Sequence, residues 1–274
     1  VKEVQSKSEM KDFLHLPFEI YEGNEYWVPD LIMEERETFN PKKNPGYQGA
    51  ETKLFVAYRD GKRVGRIVGL HSKIANEKYK TKNLRFGWFE SIDDQAVADA
   101  LIEAVMSWGK SLGLTSLTGP HGFTDLDKQG MLIEGYDQLP TISVYYNHPY
   151  YQKLMENGGL EKEIDYWEFK TMVPHGKGIP PKLVRLADRI KERSSLKVLD
   201  FKTKKHLLSR AEEIFELLDE AFEEIYGSVP LNKEQIRYYV KKYVSFVDKD
   251  LVKAMELVEK GLALPLTTPL PGAG

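Results

Sequence analysis

The sequence contains no cysteine, which excludes disulfides, thiolate metal sites and a cysteine nucleophile and fits a reducing compartment. It has no excess of basic charge: 39 Lys and Arg against 42 Asp and Glu leave a net charge of −3, whereas a nucleic-acid-binding domain is usually strongly basic. No DNA partner is expected. No apolar run reaches the ~18 residues of a membrane-crossing helix, and no signal-peptide pattern opens the chain. A cytoplasmic protein without a membrane partner is the expectation. A Walker loop, a dinucleotide fingerprint and a nucleophile elbow are all missing. The six histidines show neither i, i+4 nor carboxylate-paired spacing, so no metal site is expected.

What is present is a composition able to build a core. The 274 residues are 41% hydrophobic and 30% charged, about right for one large domain or two modest ones, and two are expected. The first residue is Val1, so the chain reads as part of a longer gene product.

The clearest unit runs from Leu54 to Pro120. Leu54 to Tyr58 and Val64 to Leu70 are apolar, β-branched runs flanking Asp60-Gly61, a dipeptide that readily supplies the left-handed pair of a two-residue hairpin turn. Leu84 to Glu90 and Leu114 to Thr118 read as further strands, the first set off by the polar run Asn76 to Asn83. Between them Val97, Leu101, Ala104, Val105, Trp108 and Leu112 fall on one face of a helix that Gly113 can cap.

On the N-terminal side, Ser8 can cap a helix that Pro17 should end or kink, and Pro29 opens a second short helix. Tyr26 to Pro29 form an aromatic cluster that either lines a pocket or plugs the core. After the unit comes a Gly-, Asp- and Pro-rich stretch from Gly119 to Pro140, interrupted by a weak helical pattern at Gln129 to Ile133. A strand follows at Ile142 to Tyr146, then a helix from Pro149 to Gly158 and a strand from Ile164 to Met172.

Val173 to Pro181 is a Pro- and Gly-rich linker, dividing the chain into 1–172, 173–181 and 182–274. Beyond it a helix should turn Leu183, Leu186, Ala187 and Ile190 inward. A strand is expected at Lys197 to Phe201 and an amphipathic helix at Leu207 to Ile225. A further helix opens on an Asn232/Gln235 capping box. Leu251 to Glu259 suits a helix by its spacing. The tail from Gly261 shows no clear period, and its Pro and Gly content argues against a regular element. It is either an unfolded end or a departure from the natural coding sequence, and the second domain reads as incomplete.

This order of elements resembles the GNAT superfamily of acyltransferases. The chain also resembles an uncharacterised bacterial GNAT-like group through Trp27 to Leu31, Asn44 to Glu51, Arg59 to Ile67, Leu117 to Phe123, Asn147 to Asp165 and Tyr226 to Leu231. The resemblance implies an α/β fold with a mixed sheet, the GNAT-like acyl-CoA N-acyltransferase fold. Leu196 to Glu259 would then open a second GNAT-like domain, with a strand in Leu251 to Glu259. It also implies acetyl-CoA or another acyl-CoA as co-substrate and a small-molecule or peptide amine as acceptor; the oligomeric state is left open.

By this resemblance the cofactor segment is Phe89, Ser91, Gln95 and Ala96, yet the residues from Glu90 to Ala96 contain none of the glycines that let a backbone approach a diphosphate. Glu90, Asp93 and Asp94 would repel phosphates and suit helix capping. Glu90 is the candidate base, with helix cap or surface acid as the plain alternative. The superfamily's acid tyrosine aligns with Met155, which cannot donate a proton. Tyr151, one turn earlier, is the candidate acid or else a packing residue. His121 and His148 lie in loops beside the presumed cleft. Trp27, Trp88, Tyr146 and Asn147 are the candidate acceptor-site residues. The resemblance implies direct acyl transfer. A non-catalytic binding or assembly module is the alternative, and transfer from aminoacyl-tRNA a third reading that the low basic charge argues against.

Overall fold

The computed structural model describes residues 1–141, 144–172, 178–193, 196–244, 247–257 and 261–263. The chain divides into two compact units: Val1–Tyr166 with Tyr226–Pro230, and Trp167–Ile225 with the residues from Leu231 onward.

The first unit is built on the expected hairpin. Strand β2 (Ala50–Arg59) turns through Asp60 and Gly61, at φ of 51° and 77°, into β3 (Lys62–Ser72). Two left-handed residues give such a turn the twist of its flanking strands. Strand β4 (Asn83–Ser91) lies antiparallel to β3, β5 (Ser116–Thr118) parallel to β4, and β1 (Lys2–Glu3) antiparallel to β2, giving a mixed sheet of order β1-β2-β3-β4-β5.

Apolar alternation along β2 feeds two layers. Phe55 and Ala57 face a cluster with Ile67, Leu101 and Val105, while Leu54 and Val56 face Phe13, Leu14, Val68 and Leu70. The first layer is covered by helix α4 (Gln95–Ser111), whose N-terminus Asp94 caps through Val97 N, and Gly113 follows its end at φ 73°.

The second layer is covered by helix α1 (Lys7–Ile20). Its capping box is Ser6 with Glu9, not Ser8, and Pro17 lies inside the helix. Proline has no N–H for the carbonyl four residues earlier, that of Phe13. The Arg66 guanidinium of β3 donates to it instead, at 3.0 Å. Helix α2 (Ile32–Thr38) starts three residues after Pro29, and helix α3 (Lys73–Tyr79), capped by Ser72, occupies much of what reads in sequence as a polar spacer.

Among the described residues, two expected strands do not form. Val144 to Tyr146 has no ladder, Ile142 and Ser143 lying outside the described residues. Its groups bond locally instead: Val144 N donates to Thr141 O, and Tyr146 OH donates to Tyr136 O. The stretch 164–172 is likewise without a ladder, and Trp167, Phe169 and Met172 stand exposed. No regular helix forms at Gln129 to Ile133 either. Helix α5 (Tyr150–Asn157) follows Pro149 as expected.

In the second unit, β6 (Leu196–Asp200) pairs with β7 (Lys253–Leu257), which pairs with β8 (Gly261–Ala263), all antiparallel. The 251–259 region thus contributes a strand, and the first residues of the tail pair as its neighbour. Helix α6 (Pro181–Arg193) precedes this sheet, and its apolar stripe, expected to face inward, is exposed: Leu183, Leu186 and Ile190 are each about half accessible. A helical period identifies a face but cannot supply the surface that covers it. Helices α7 (Lys204–Ser209) and α8 (Ala211–Ala221) split the expected single helix at Arg210, and α9 (Lys233–Tyr239) opens on the Asn232/Gln235 capping box.

Gly87 in β4 lies against the loop after β5: a Cβ there would stand 2.4 Å from the His121 carbonyl oxygen. Replacing it with alanine must move backbone, so Gly87→Ala is expected to cost about 1–3 kcal/mol, read as a lower urea midpoint at unchanged m-value.

Candidate functional site

Strict alternation along β4 would place Glu90 with Leu84 and Phe86 in the apolar layer under α4. A bulge prevents this. While β3 runs from Arg66 to Val68, β4 runs from Glu90 back to Gly87, so Ile67 faces two residues and Trp88 takes a left-handed φ of 47°. A bulge inserts one residue and reverses which side chains face which way. Phe89 joins the α4 layer, Trp88 packs on the α1 side, and Glu90 emerges opposite Arg66.

There Glu90 is buried, 7% exposed. Its Oε2 accepts from the hydroxyls of Tyr21, at the end of α1, and Tyr151, in α5, each at 2.7 Å. Its Oε1 lies 3.8 Å from Arg66 Nη2, while Arg66 Nη1 lies 3.0 Å from Oε1 of buried Glu35 in α2. That last contact is an ion pair without hydrogen-bond alignment, since Glu35 Oε1 and Arg66 Nε have no hydrogen-bond partner.

One buried guanidinium thus faces two buried carboxyls. Burial raises the pKa of both Glu35 and Glu90 against the pull of Arg66. Burial also opposes the Arg66 charge, but Glu35 and Glu90 more than offset it, and its pKa is raised. With both carboxyls ionised the cluster carries one uncompensated negative charge; with one proton it is neutral. Low dielectric favours the neutral state, and the two carboxyls titrate as a pair.

The linkage has a definite sign. A folded-state carboxyl pKa above the unfolded value near 4.5 means that the native state holds the proton more tightly, so this pair's contribution to stability falls as pH rises from about 4.5 through the folded values. Glu35→Gln leaves Arg66 with Glu90 and removes the surplus charge. The stability of this variant relative to the unaltered chain should therefore rise with pH between 4.5 and 8, whereas parallel urea-midpoint curves would contradict the shared proton.

The cluster sits where β4 loses its neighbour. Strand β5 pairs only with Asn83, Leu84 and Arg85. At the far end of β4, Ser91 N donates to Tyr151 Oη at 3.1 Å and Ser91 O accepts from the Tyr150 hydroxyl at 2.8 Å. Beside it Trp27, Tyr21, His148 and Tyr150 stack in one column, with centroids 4.9, 4.8 and 5.2 Å apart in turn. Burial raises the Tyr21 and Tyr151 hydroxyls well above the usual tyrosine pKa, and Glu90 adds to it.

Of the residues singled out in sequence, Glu90, Tyr151 and Ser91 meet directly; Trp27 and Tyr146 reach the cluster through Tyr21. Phe89 lies in the core, its ring 5.4 Å from that of Tyr151. Gln95 bonds Asp99 and Leu154 O, and Ala96 is exposed. Trp88 packs on Phe39, and Asn147 pins the loop through Leu132 N and O. His121 lies elsewhere, beside Gln129. The turn before α4 does cap a helix: Asp94 receives Val97 N and pairs with Arg59 at 2.6 Å.

Sequence reasoning missed Arg66, Glu35 and Tyr21. Arg66 carried a signal, a cation inside the buried run from Val64 to Leu70 that required a partner. Glu35 and Tyr21 carried none, because a glutamate in a short helix and a tyrosine at a helix end are ordinary surface choices. Among the described residues, no three His, Cys, Asp or Glu side chains gather as a metal site would require, and no helix is long and apolar enough to cross a membrane.

These features define a mixed α/β unit with a buried, hydroxyl-bonded carboxylate at the open end of its sheet. The chain is 25% identical over 260 residues to Protein YghO of Escherichia coli strain K12, covering 94% of this chain. It is 26% identical over 256 residues to a bacterial ceramide synthase of Caulobacter vibrioides, covering 93%. In both cases it spans 65% of the relative's own length. No protein-family profile matches the chain, and no solved structure matches it.

Proposed function

We propose that this chain is part of an N-acyltransferase that moves an acyl group from an acyl-CoA to an amine by direct attack, with Glu90 as the general base. The observation that carries this reading is Glu90 itself: a buried carboxylate of raised pKa, held by two hydroxyls at the end of a strand beyond its pairing with β5. A base tuned upward from the ordinary glutamate value can accept a proton near neutrality.

In this reading the amine nitrogen attacks the thioester carbonyl, the carbon–sulfur bond breaks, and Glu90 takes the proton that the nitrogen loses. Tyr151, kept protonated by burial, gives its proton to the departing sulfur and recovers one from Glu90 along their 2.7 Å hydrogen bond. Trp27 and Tyr146 border the acceptor. The order of helix, hairpin, strand, helix and parallel strand supports a GNAT-like fold for the first unit. The second unit is then the start of another such domain, which in the whole protein would hold the CoA diphosphate that the acidic, glycine-free turn before α4 is unsuited to bind. The relative named as a ceramide synthase supports the bond type, since a ceramide is the amide of an acyl group with a long-chain amino alcohol.

A non-catalytic reading has one observation in its favour: the hydroxyls of Tyr150 and Tyr151 already occupy the edge groups of Ser91. The full-length protein decides between the two. It would be titrated calorimetrically with acetyl-CoA and a long-chain acyl-CoA, then assayed for free thiol and amide mass with an amine panel that includes a long-chain amino alcohol. Binding with amine-dependent thiol release is expected. Absence of both would sink the acyltransferase reading.

A further inference from the structure

A second polar group of the first unit plays no part in that chemistry. Arg85 of β4 is 5% exposed, yet among the described residues it forms no ion pair and a single hydrogen bond, from Nη2 to Gly227 O at 3.0 Å. A guanidinium has five N–H donors, and a buried one is nearly always matched to an anion. Asp125 acts on it electrostatically from beyond ion-pair distance, while its Oδ1 accepts from Val229 N. Burial pulls the Arg85 pKa down by more than Tyr79, Tyr226 and Asp125 raise it.

What surrounds Arg85 is suited to an anion. Tyr79, Tyr226 and Tyr166 are close enough to act on its charge, and Tyr79 and Tyr166 are each nearly half exposed. Lys78 brings a second cation to the same loop, its Nζ donating to Ser228 Oγ at 2.7 Å. His121 donates to Gln129 Oε1, and burial lowers its pKa to about 4, so it adds no charge at neutral pH. Gly227, at φ 77°, presses against His121, where a Cβ would stand 3.0 Å from the ring. The loop 226–230 is held against Arg85 by the bonds of Arg85 to Gly227 O, of Lys78 and Tyr79 to Ser228, and of Val229 N to Asp125.

We propose that Arg85, with Lys78 bonded to the next residue of the same loop, anchors a binding site for a phosphate group, separate from the Glu90 cluster. Planar guanidinium donors match phosphate oxygens in pairs, and a second cation on the same loop suits a dianion. The phosphate could belong to a nucleotide-bearing acyl donor or to a phosphorylated acceptor. The proposal does not depend on Glu90 being a base.

The test uses the whole protein and inorganic phosphate and pyrophosphate as probes, with chloride at matched ionic strength as control. Phosphate is expected to raise the melting temperature beyond the chloride effect, and Arg85→Met to weaken that response by about tenfold or more. Arg85→Lys should keep a reduced response. Without phosphate, Arg85→Met should be at least as stable as the unaltered protein, because it removes an unmatched buried charge. CoA set against pantetheine, which lacks the phosphates, separates the sources: a response to CoA alone assigns the site to the donor, and equal responses beside a retained phosphate effect assign it to the acceptor. No phosphate response, an equal response in Arg85→Met, or marked destabilisation of Arg85→Met would each overturn the proposal.

Discussion

Glu90→Gln is expected to lower the turnover of amine acylation by about 10²–10⁴-fold, the usual contribution of a positioned general base, while leaving the fold and acyl-donor affinity nearly unchanged. The fold survives because glutamine keeps an oxygen to accept from Tyr21 and Tyr151, and because Arg66 still has Glu35 at 3.0 Å. The loss should fall on kcat, since the carboxylate acts only while the nitrogen is shedding its proton. The acidic limb of the unaltered enzyme's rate profile should follow the Glu35–Glu90 pair rather than an ordinary glutamate, with its apparent pKa above 4.5, and Glu90→Gln should abolish that limb. The measurements are stopped-time thiol release across pH 5 to 9 and circular dichroism of the variant. Unchanged turnover in a folded Glu90→Gln protein would remove Glu90 from the chemistry.

The parts of this molecule that were legible in sequence are those governed by short-range rules. Asp60-Gly61 could hardly be anything but a hairpin turn, the spacing from Val97 to Leu112 specified α4, and Asn232 with Gln235 marked the start of α9. Glu90 was visible as an acid at a strand end, but its surroundings were not. The bulge at Trp88, which decides the face on which Glu90 emerges, leaves only Gly87 beside it as a mark in the run Phe86 to Phe89, and a strand glycine signals a close approach as readily as a bulge. A bulky residue at a left-handed φ is also contrary to local preference. The ring column of Trp27, Tyr21, His148 and Tyr150 joins positions more than a hundred residues apart, and no local pattern encodes that. The exposed stripe of α6 and the missing strand at 164–172 fail for one shared reason: periodicity describes a surface, and pairing needs a second surface that the sequence of the first does not mention.

Arg66→Met should cost about 3–5 kcal/mol at pH 8, the usual penalty for removing one partner of a buried ion pair. That is a large share of the roughly 5–15 kcal/mol that holds a domain folded. Three interactions end at once. The Phe13 carbonyl, deprived of a helical donor by Pro17, loses its 3.0 Å guanidinium contact, and Glu35 and Glu90 become two buried carboxyls with no cation between them. The last term dominates, and it sets a sign that a simple packing defect would lack. Near pH 5 both carboxyls can take protons and the penalty shrinks toward the cost of the bare Phe13 carbonyl; near pH 8 they must either ionise unpaired or hold protons against the solvent. The difference in urea midpoint between Arg66→Met and the unaltered chain should therefore widen steadily from pH 5 to pH 8. In an Arg66→Met background, Glu35→Gln with Glu90→Gln should close most of that gap, since the carboxyls then need no counterion. A penalty independent of pH would mean that Arg66 matters for its guanidinium packed over the Phe13 ring, 4.8 Å from carbon to centroid, and that the coupled carboxyl pair is not the electrostatic unit described above.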